Sequence, residues 1–254
     1  MSHARATMHN SLGTPSAEPH RQAEAAGPGS GWLSILLLIL SLIAGSTDTI
    51  GFLSLNGLFT AHITGNLVVL AAHVINGAPT IVSYVLAVPV FAVVLLLTRL
   101  FASRLERVGA VTLQALLLLE LLLLIGFLVC CVKCGHRFDP NSGIAITAGL
   151  FGISAMAVQT ALVQISLAKA PSTAVMSTNV AYLMLALGEL LASRDDAVIA
   201  SARKRTIHIF PVIVGFAIGC ALGAAGQSAF GAWSVALPAG LATLALATSV
   251  MVRR

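Results

Sequence analysis

Three acidic residues lie inside long apolar segments of the sequence, at Asp48, Glu120 and Glu189. An ionised carboxylate near the centre of a bilayer costs about 2.5–3.5 kcal/mol on insertion scales. The apolar segments contain no Lys or Arg that would neutralise these acids. Each acid must therefore be protonated, face a water-filled cavity or hold a cation. Asp48 is the best functional candidate, because Gly45 and Gly51 flank it and are predicted to open the helix there.

Each acid also has a structural interpretation. Asp48 can be a protonated residue that hydrogen-bonds to a neighbouring helix. Glu120 is surrounded by leucines, so a structural or interfacial role is predicted, with a proton relay as the alternative. Glu189 lies near the end of its segment, and we expect it to reach the membrane surface by snorkelling.

Polar residues would form one stripe on a helix in each half of the chain. The two stripes are His62, Asn66, Val69 and His73, and Asn179, Tyr182, Ala186 and Glu189. Such stripes line cavities, although their side chains can equally bridge helices through hydrogen bonds worth about 0.6 kcal/mol each. The residues predicted to bind a small solute or ion are Asp48, His62, Thr64, Asn66, Gln159 and Asn179.

The segment from Cys131 to His136 resembles half of a zinc knuckle, because Cys131 and Cys134 have the spacing that lets two thiolates meet one ion. The other half of the knuckle is missing from the sequence. We therefore expect no metal there, and either a disulfide or free thiols instead. His62 and His73 are also unsuitable as a metal pair, since a helix would place them about 16 Å apart.

Other motifs carry little chemistry. The sequence contains no Ser-His-Asp order, Walker loop, HExxH or dinucleotide fingerprint, so we expect neither an enzyme nor a bound cofactor. Gly215, Gly219 and Gly223 are spaced by four, which predicts close helix packing and not a phosphate loop.

The elements that must position these residues are membrane helices. Of the 254 residues, 57% are hydrophobic and 9% are charged, whereas a soluble domain has about 25% charged residues. The net charge of +5 does not indicate nucleic-acid binding, because the basic residues separate apolar runs and form no stripe with aromatic residues. The expected partners are the lipid bilayer and a small solute or cation.

Six apolar segments are long enough to span about 30 Å of hydrocarbon. They are Trp32–Gly57, Thr80–Thr98, Ala110–Val132, Ser142–Ala168, His208–Gly231 and Ser234–Val252. Two further segments, Thr60–Ile75 and Thr173–Leu191, begin with polar residues and are predicted to be short or re-entrant. Residues 1–30 have almost no bulky side chains and are predicted to be a disordered cytoplasmic tail before an uncleaved signal anchor. The predicted fold is an all-α polytopic membrane domain over residues 31–254.

The positive-inside rule favours six spans. If neither short segment crosses, 12 of the 14 Lys and Arg residues are cytoplasmic, and only Lys133 and Arg137 lie outside. A seven-span alternative, in which Thr60–Ile75 crosses and the N-terminus is outside, loses just Arg5 and Arg21. If all eight segments cross, the basic clusters after the second span and before the fifth fall on opposite sides.

The two short segments resemble one another. Thr60-Ala61-His62-Ile63-Thr64-Gly65-Asn66 matches Thr173-Ala174-Val175-Met176-Ser177-Thr178-Asn179 at a constant offset of 113 positions. Each segment follows one long span and precedes two more. The six-span arrangement therefore predicts an inverted repeat of three plus three spans, over residues 32–132 and 142–252, as in many secondary transporters.

The run from Gly45 to Leu53, followed by Phe59 and by Thr64-Gly65-Asn66, resembles the N-terminal pattern of the YoaK family, a domain-of-unknown-function family of bacterial inner-membrane proteins. Gly152 to Thr160 with Gln159, and then Thr178-Asn179, resemble the second-half pattern of that family. Two departures stand in the second half, where the chain has Gln159-Thr160-Ala161 and Ser177-Thr178-Asn179. The resemblance implies a multi-pass protein of the bacterial inner membrane and supplies no substrate.

Two functions remain open from the sequence. One is a secondary transporter or channel for a small solute or ion, with Asp48 and the asparagine stripes lining its path. The other is a non-transporting membrane scaffold or interaction protein in which the polar residues only hold helices together. The transporter interpretation predicts that Asp48, Asn66, Gln159 and Asn179 converge on one cavity.

Overall fold

The computed structural model describes residues 30–77, 81–107, 111–134, 139–167 and 170–251. Within these ranges all regular structure is helical, which confirms the all-α prediction. The helices are α1 (Ser30–Ser54), α2 (Gly65–Ile75), α3 (Val82–Arg107), α4 (Thr112–Cys134), α5 (Gly143–Ser166), α6 (Met176–Ala192), α7 (Asp196–Phe230) and α8 (Ala236–Met251), with a 3₁₀ turn at Gly231–Val235. The predicted tail lies outside the described residues, apart from Ser30.

Five helical stretches of the described chain are long and apolar enough to cross a membrane. Four are α1, α3, α4 and α5, and the fifth is the 56-residue stretch Asp196–Met251. That stretch reverses direction at the 3₁₀ turn. The end of α7 lies beside the end of α4, whereas Ser249 near the end of α8 accepts a hydrogen bond from Gln114 at the start of α4 (3.3 Å). The fifth stretch therefore contains the last two predicted spans.

The chain between α1 and α3 does not cross the bundle. The hydroxyl of Tyr84, in the first turn of α3, donates a hydrogen bond to the carbonyl of Asn56, just after α1. α1 therefore ends at the same face at which α3 begins. The intervening α2 has 11 residues and a length of about 16 Å, too short to span a bilayer. The prediction of a re-entrant first short segment agrees with this arrangement.

The chain between α5 and α7, which contains α6, also begins and ends at one face of the bundle. α5 runs opposite to α1, because Gly149 lies against Leu58 beyond the end of α1 while Gln159 bonds to Leu40 in its first half. α7 runs parallel to α1, since Gly215 faces Leu38 and Gly223 faces Ser46. α5 therefore ends, and α7 begins, at the face where α1 begins. This parity agrees with six crossings and not with seven or eight.

Cationic side chains gather at one face of the bundle, the end at which α1, α4 and α7 begin, which we call the basic face. Of the Lys and Arg residues that the structure describes, Lys133 near the end of α4 lies toward the opposite face. The others lie in the half of the bundle next to the basic face: Arg99, Arg104, Arg107, Arg194, Arg203, Lys204 and Arg205. This separation matches the arrangement expected from the sequence.

The helix contacts fall into pairs that an inverted repeat requires. α1 packs on α7 as α5 packs on α3, and α1 packs on α8 as α5 packs on α4. α2 contacts α3 as α6 contacts α7, and α4 contacts its own counterpart α8. Exchanging α1–α4 with α5–α8 thus reproduces the main contacts. Because α1 and α5 run in opposite directions, the two halves have opposite orientations and are related by a pseudo-two-fold axis in the membrane plane.

Glycines bring α1 and α7 into close contact, as predicted for the series at 215, 219 and 223. A Cβ atom on Gly219 would lie 2.5 Å from the carbonyl oxygen of Leu42, and one on Gly45 would lie 2.2 Å from that of Phe216. The expectation that Gly45 and Gly51 open the first span at Asp48 was wrong, because α1 is continuous from Ser30 to Ser54. These glycines make room for α7 and for the methyl group of Thr60 instead.

Candidate functional site

The carboxylate of Asp48 holds a non-helical segment against α1. Asp48 is buried, with 5% of its surface exposed. Its Oδ1 accepts hydrogen bonds from the backbone N–H groups of Thr60 and Ala61, each at 2.7 Å. Because these two donors belong to residues outside any helix, they would otherwise be buried without a partner. Asp48 therefore holds the re-entrant connection in place.

The second oxygen of Asp48 contacts His62. Oδ2 lies 2.6 Å from Nδ1 of the imidazole, and 42% of the His62 side chain is exposed, against 7% for Asp48. His62 belongs to the connection between α1 and α2, outside the candidate spans. The hydrogen bond to Asp48 raises the pKa of His62 above its usual value, although burial acts in the opposite direction. A proton on His62 is therefore held beside a buried anion.

Three phenyl rings surround this pair. The ring centroids of Phe59 and Phe216 lie 6.2 Å and 5.5 Å from that of His62, in edge-to-face arrangements. Phe52 lies 4.9 Å from Phe59. Together with Asp48 and His62 these rings line a cavity of about 340 Å³ between α1, the connection and α7. Phenyl faces and a carboxylate both attract cations, so this cavity can hold a proton on His62 or a small cation beside it.

Asn66, in the first turn of α2, stabilises the same connection from its other end. Its Nδ2 donates to the carbonyl of Phe59 at 2.8 Å, and its Oδ1 accepts from the N–H of Phe59 at 2.9 Å. Asn66 is fully buried. Thr64 is exposed and makes no side-chain capping bond to α2. Asn66 thus shapes the site through the backbone, whereas Thr64 lies away from the Asp48 cavity.

The predicted first stripe was wrong for His62, because α2 begins only at Gly65. Asp48 accepts hydrogen bonds from the N–H groups of residues 60 and 61, and His62 follows them in a non-helical segment beside α1. His73, at the far end of α2, packs edge-to-face on Tyr84 with ring centroids 5.4 Å apart. The two histidines therefore belong to different surroundings.

The second half repeats the asparagine fastening. Asn179 donates from Nδ2 to the carbonyl of Ser172 at 2.6 Å, at positions 113 residues after Asn66 and Phe59. In the second half a neutral residue, Gln159, makes the contact with the connection that Asp48 makes in the first half. Its Nε2 donates to the hydroxyl of Thr173 at 2.8 Å and to the carbonyl of Leu40 at 2.9 Å. Both connections are thus tied to a long helix by a buried polar side chain.

The candidate residues do not converge on a single cavity. Asp48 and His62 line the cavity beside Phe216, whereas Asn179 lines a separate cavity between α6 and α7. The predicted second stripe is also divided, since Asn179 and Ala186 are buried but Tyr182 is exposed. Glu189 lies at the surface of the protein and pairs with Arg205, as its position near the end of the segment indicated.

Glu120 differs from the other two acids. It is fully buried on α4, and neither of its carboxyl oxygens has a hydrogen-bond partner among the residues that the structure describes. An ionised carboxylate in such surroundings is strongly disfavoured, so Glu120 is a neutral acid in this arrangement.

In the described part of the chain, no group of three or more His, Cys, Asp and Glu residues is close enough to hold a metal ion. The four cysteines are free thiols, which is one of the two alternatives expected from the sequence. His136 lies outside the described residues, so the absence of zinc from its loop stays a prediction.

Sequence reasoning missed several residues that surround these sites. Thr60, Phe216 and Cys220 contact or line the Asp48 cavity through long-range folding that no local pattern indicates. Lys204 and His208 line the cavity of Asn179, and their spacing of four on a helix was a readable signal.

The apolar helices, the two re-entrant connections and the paired helix contacts define a polytopic helical membrane protein built from two inverted halves. The chain belongs to the family described as "Protein of unknown function (DUF1275)", whose model matches residues 36–248, from the first turns of α1 into the last turns of α8. No curated protein and no solved structure matches the chain.

Proposed function

We propose that this protein is a secondary transporter that exchanges a small solute or ion for a proton at the Asp48–His62 pair. The observation that carries the proposal is a buried carboxylate in contact with a half-exposed imidazole inside a cavity. A histidine can change its charge near neutral pH. The Asp48–His62 pair can therefore load and release a proton under physiological conditions.

Coupling follows from the charges in the cavity. When His62 is protonated, it neutralises Asp48, and the cavity offers no net charge to a cation. A cation that enters beside protonated His62 meets a second positive charge, and two such charges 4 Å apart repel by about 4 kcal/mol at an effective dielectric constant of about 20. Cation entry thus favours release of the proton. Because the proton and the cation exclude each other from this cavity, binding of one favours release of the other, which is the basis of exchange.

The inverted halves supply the second requirement, which is access from both sides. In transporters of this kind one half moves against the other around a fixed site. Here α1 of the first half packs against α7 of the second, and the Asp48 cavity lies along that contact. A small shift between α1 and α7 would change which side of the membrane reaches His62.

The proposed location is the inner membrane of a bacterial cell, with the basic face in the cytoplasm. The YoaK-like pattern around Asp48 and the excess of Lys and Arg at that face support this assignment. The proposed activity is transport, with no enzymatic reaction. Cysteine labelling tests the orientation, since an engineered cysteine near residue 200 should resist a membrane-impermeant reagent in intact cells.

The alternative function is a non-transporting scaffold, and one observation favours it. The side chains of Asn66, Gln159 and Asn179 all donate to backbone carbonyls or to a neighbouring hydroxyl, as purely structural groups would. They also line no common cavity with Asp48. In this alternative Asp48 and His62 only stabilise the re-entrant connection.

Proteoliposomes distinguish the two functions. Purified protein is reconstituted with a pH-sensitive dye inside, and a panel of small cations and neutral solutes is added outside at roughly pH 5 to 8. We expect at least one solute to move protons through the wild-type protein. His62→Gln should abolish the pH dependence, and Thr64→Ala is the matched control because Thr64 is an exposed residue of the same connection.

Two outcomes would contradict the proposal. Unchanged, pH-dependent flux in both His62→Gln and Asp48→Asn would remove the pair from the exchange site. Absence of flux for every solute with correctly inserted wild-type protein would favour the scaffold. Asp48→Asn keeps one oxygen for the N–H groups of Thr60 and Ala61, but it replaces the oxygen that contacts His62 with an amide NH2. Because it changes the charge and the contact together, His62→Gln is the deciding variant.

A further inference from the structure

The cavity between α6 and α7 has a lining unlike that of the Asp48 cavity. Its volume is about 480 Å³, and it opens near the basic face. Three of its lining residues, Lys204, Arg205 and His208, come from consecutive turns of α7 and carry exposed nitrogen groups. The connection before α6 and the first turns of α6 supply polar neighbours, namely Ser172, Thr178, Asn179 and Tyr182.

The cavity has an excess of positive charge. No Asp or Glu is among its described lining residues. Glu189, which does not line the cavity, pairs with the guanidinium of Arg205. Glu189 offsets the positive charge of Arg205. None of the ion pairs among the described residues involves Lys204, so no carboxylate offsets its ammonium charge. The imidazole of His208 bonds through Nδ1 to the carbonyl of Lys204 at 2.7 Å, so that this nitrogen is the donor and is already used.

The other half of the protein has no counterpart to this charge. At the repeat offset of 113 positions, Lys204, Arg205 and His208 correspond to Phe91, Ala92 and Leu95 on α3. Phe91 packs against a buried apolar cluster that includes Tyr84, Phe127 and Ile153. The same architectural position is thus apolar in one half and cationic in the other. Positive-inside bias explains cations at this face, but it does not require them to line a cavity.

We propose that the cavity between α6 and α7 binds a phosphate-bearing anion. A guanidinium and an ammonium are the two groups with which proteins hold phosphate oxygens. Basic pockets between membrane helices on the cytoplasmic side commonly take lipid head groups. Lys204 and Arg205 lie in the first third of α7, near the basic face, so an anionic phospholipid and a soluble phosphate would both have access to the cavity.

The experiment uses the full-length protein in nanodiscs of a zwitterionic lipid. Thermal unfolding is recorded after addition of phosphatidylglycerol to the bilayer in one arm and of inorganic phosphate or pyrophosphate to the buffer in the other, at constant ionic strength. A bound anion raises the unfolding temperature by mass action. We expect saturable stabilisation in at least one arm, and the arm that responds identifies the source of the phosphate group.

Matched variants assign the effect to the cavity. Lys204→Gln should weaken the apparent affinity about tenfold or more, because a charge-assisted hydrogen bond is lost. Arg203→Gln removes the same charge from the adjacent position, which does not line the cavity, and should leave the affinity unchanged. Lys204→Arg keeps the charge and should retain binding. Arg205 is left intact, since its loss would free Glu189.

The outcomes separate cleanly. Stabilisation by the lipid alone assigns a head-group site, and stabilisation by the soluble ions alone assigns a site for a free phosphate compound. Equal weakening by Lys204→Gln and Arg203→Gln would mean that the anion responds to the general charge of the face, and would overturn the proposal. No stabilisation in either arm would overturn it as well. None of these outcomes depends on transport through the Asp48 cavity.

Discussion

Substituting Gly45 by alanine tests how closely α1 and α7 approach each other. The new Cβ atom would lie 2.2 Å from the carbonyl oxygen of Phe216 and 3.0 Å from the backbone nitrogen of Cys220. Both neighbours are backbone atoms, so no side-chain rotation relieves the overlap. The helices must separate by about 1 Å, and overpacking of this kind typically costs about 1–3 kcal/mol. The cost should lie at the upper end, because the close contact of α1 with α7 runs from Leu38 opposite Gly215 to Ser46 opposite Gly223.

The assay is thermal unfolding in detergent, followed by the intrinsic fluorescence of the protein. About 3 kcal/mol corresponds to a fall of about 6–12 °C in Tm for a domain of this size. Gly240→Ala is the matched control, because Gly240 lies on α8 with open space around its Cβ position. Helix propensity alone favours alanine at both positions. If Gly45→Ala and Gly240→Ala had the same Tm, the close contact of α1 with α7 would be refuted.

Helix positions were largely predictable from the sequence, because the length of an apolar run is set by the thickness of hydrocarbon. Helix ends were less so. α1 ends at Ser54 and not at Gly57, since Asn56 and Gly57 have φ values of +57° and +94° and leave the helical region. α7 begins at Asp196, where Asp195 accepts a hydrogen bond from the N–H of Ala197 at 2.8 Å, although hydropathy starts the span only at residue 208.

The site was predictable as a set of residues and not as a set of contacts. The cost of burying a carboxylate in lipid was enough to select Asp48, but the partner of Asp48 depends on how the chain returns after α1. A helical period applied to residues 60–75 placed His62 on a stripe with Asn66. The segment around His62 is non-helical and its backbone binds a distant acid, and local periodicity cannot indicate a bond of that kind.

The charges of α7 were read from the sequence only as a signal of orientation. Lys204 and His208 stand one turn apart, which places them on one face of a helix. The sequence does not show that α6 leaves an open cavity against that face. The packing of a short re-entrant helix is decided by the whole bundle, so the basic cavity emerges only at the level of tertiary structure.

Substitutions at three further sites test individual contacts: at His62, at Glu120, and at the asparagine pair Asn66 and Asn179. The pKa of His62 is raised in the folded protein, so its contact with Asp48 stabilises the fold fully below the usual pKa of about 6.5 and less as the pH rises through the folded value. The Tm difference between wild type and His62→Gln should therefore shrink as the pH rises. A Tm difference independent of pH would contradict this. Glu120→Leu should raise Tm, because it removes a buried acid without hydrogen-bond partners, whereas Glu120→Gln should not, and a lower Tm for the leucine variant would assign Glu120 an unseen partner. Asn66→Ala removes both hydrogen bonds to the backbone of one residue, whereas Asn179→Ala removes one such bond. These hydrogen bonds are part-buried, and the loss of a typical hydrogen bond costs about 0.5–1.5 kcal/mol, so Asn66→Ala should lower the free energy of unfolding by about twice as much as Asn179→Ala. Urea unfolding in detergent measures both, and equal losses would show that the two asparagines hold their connections in the same way.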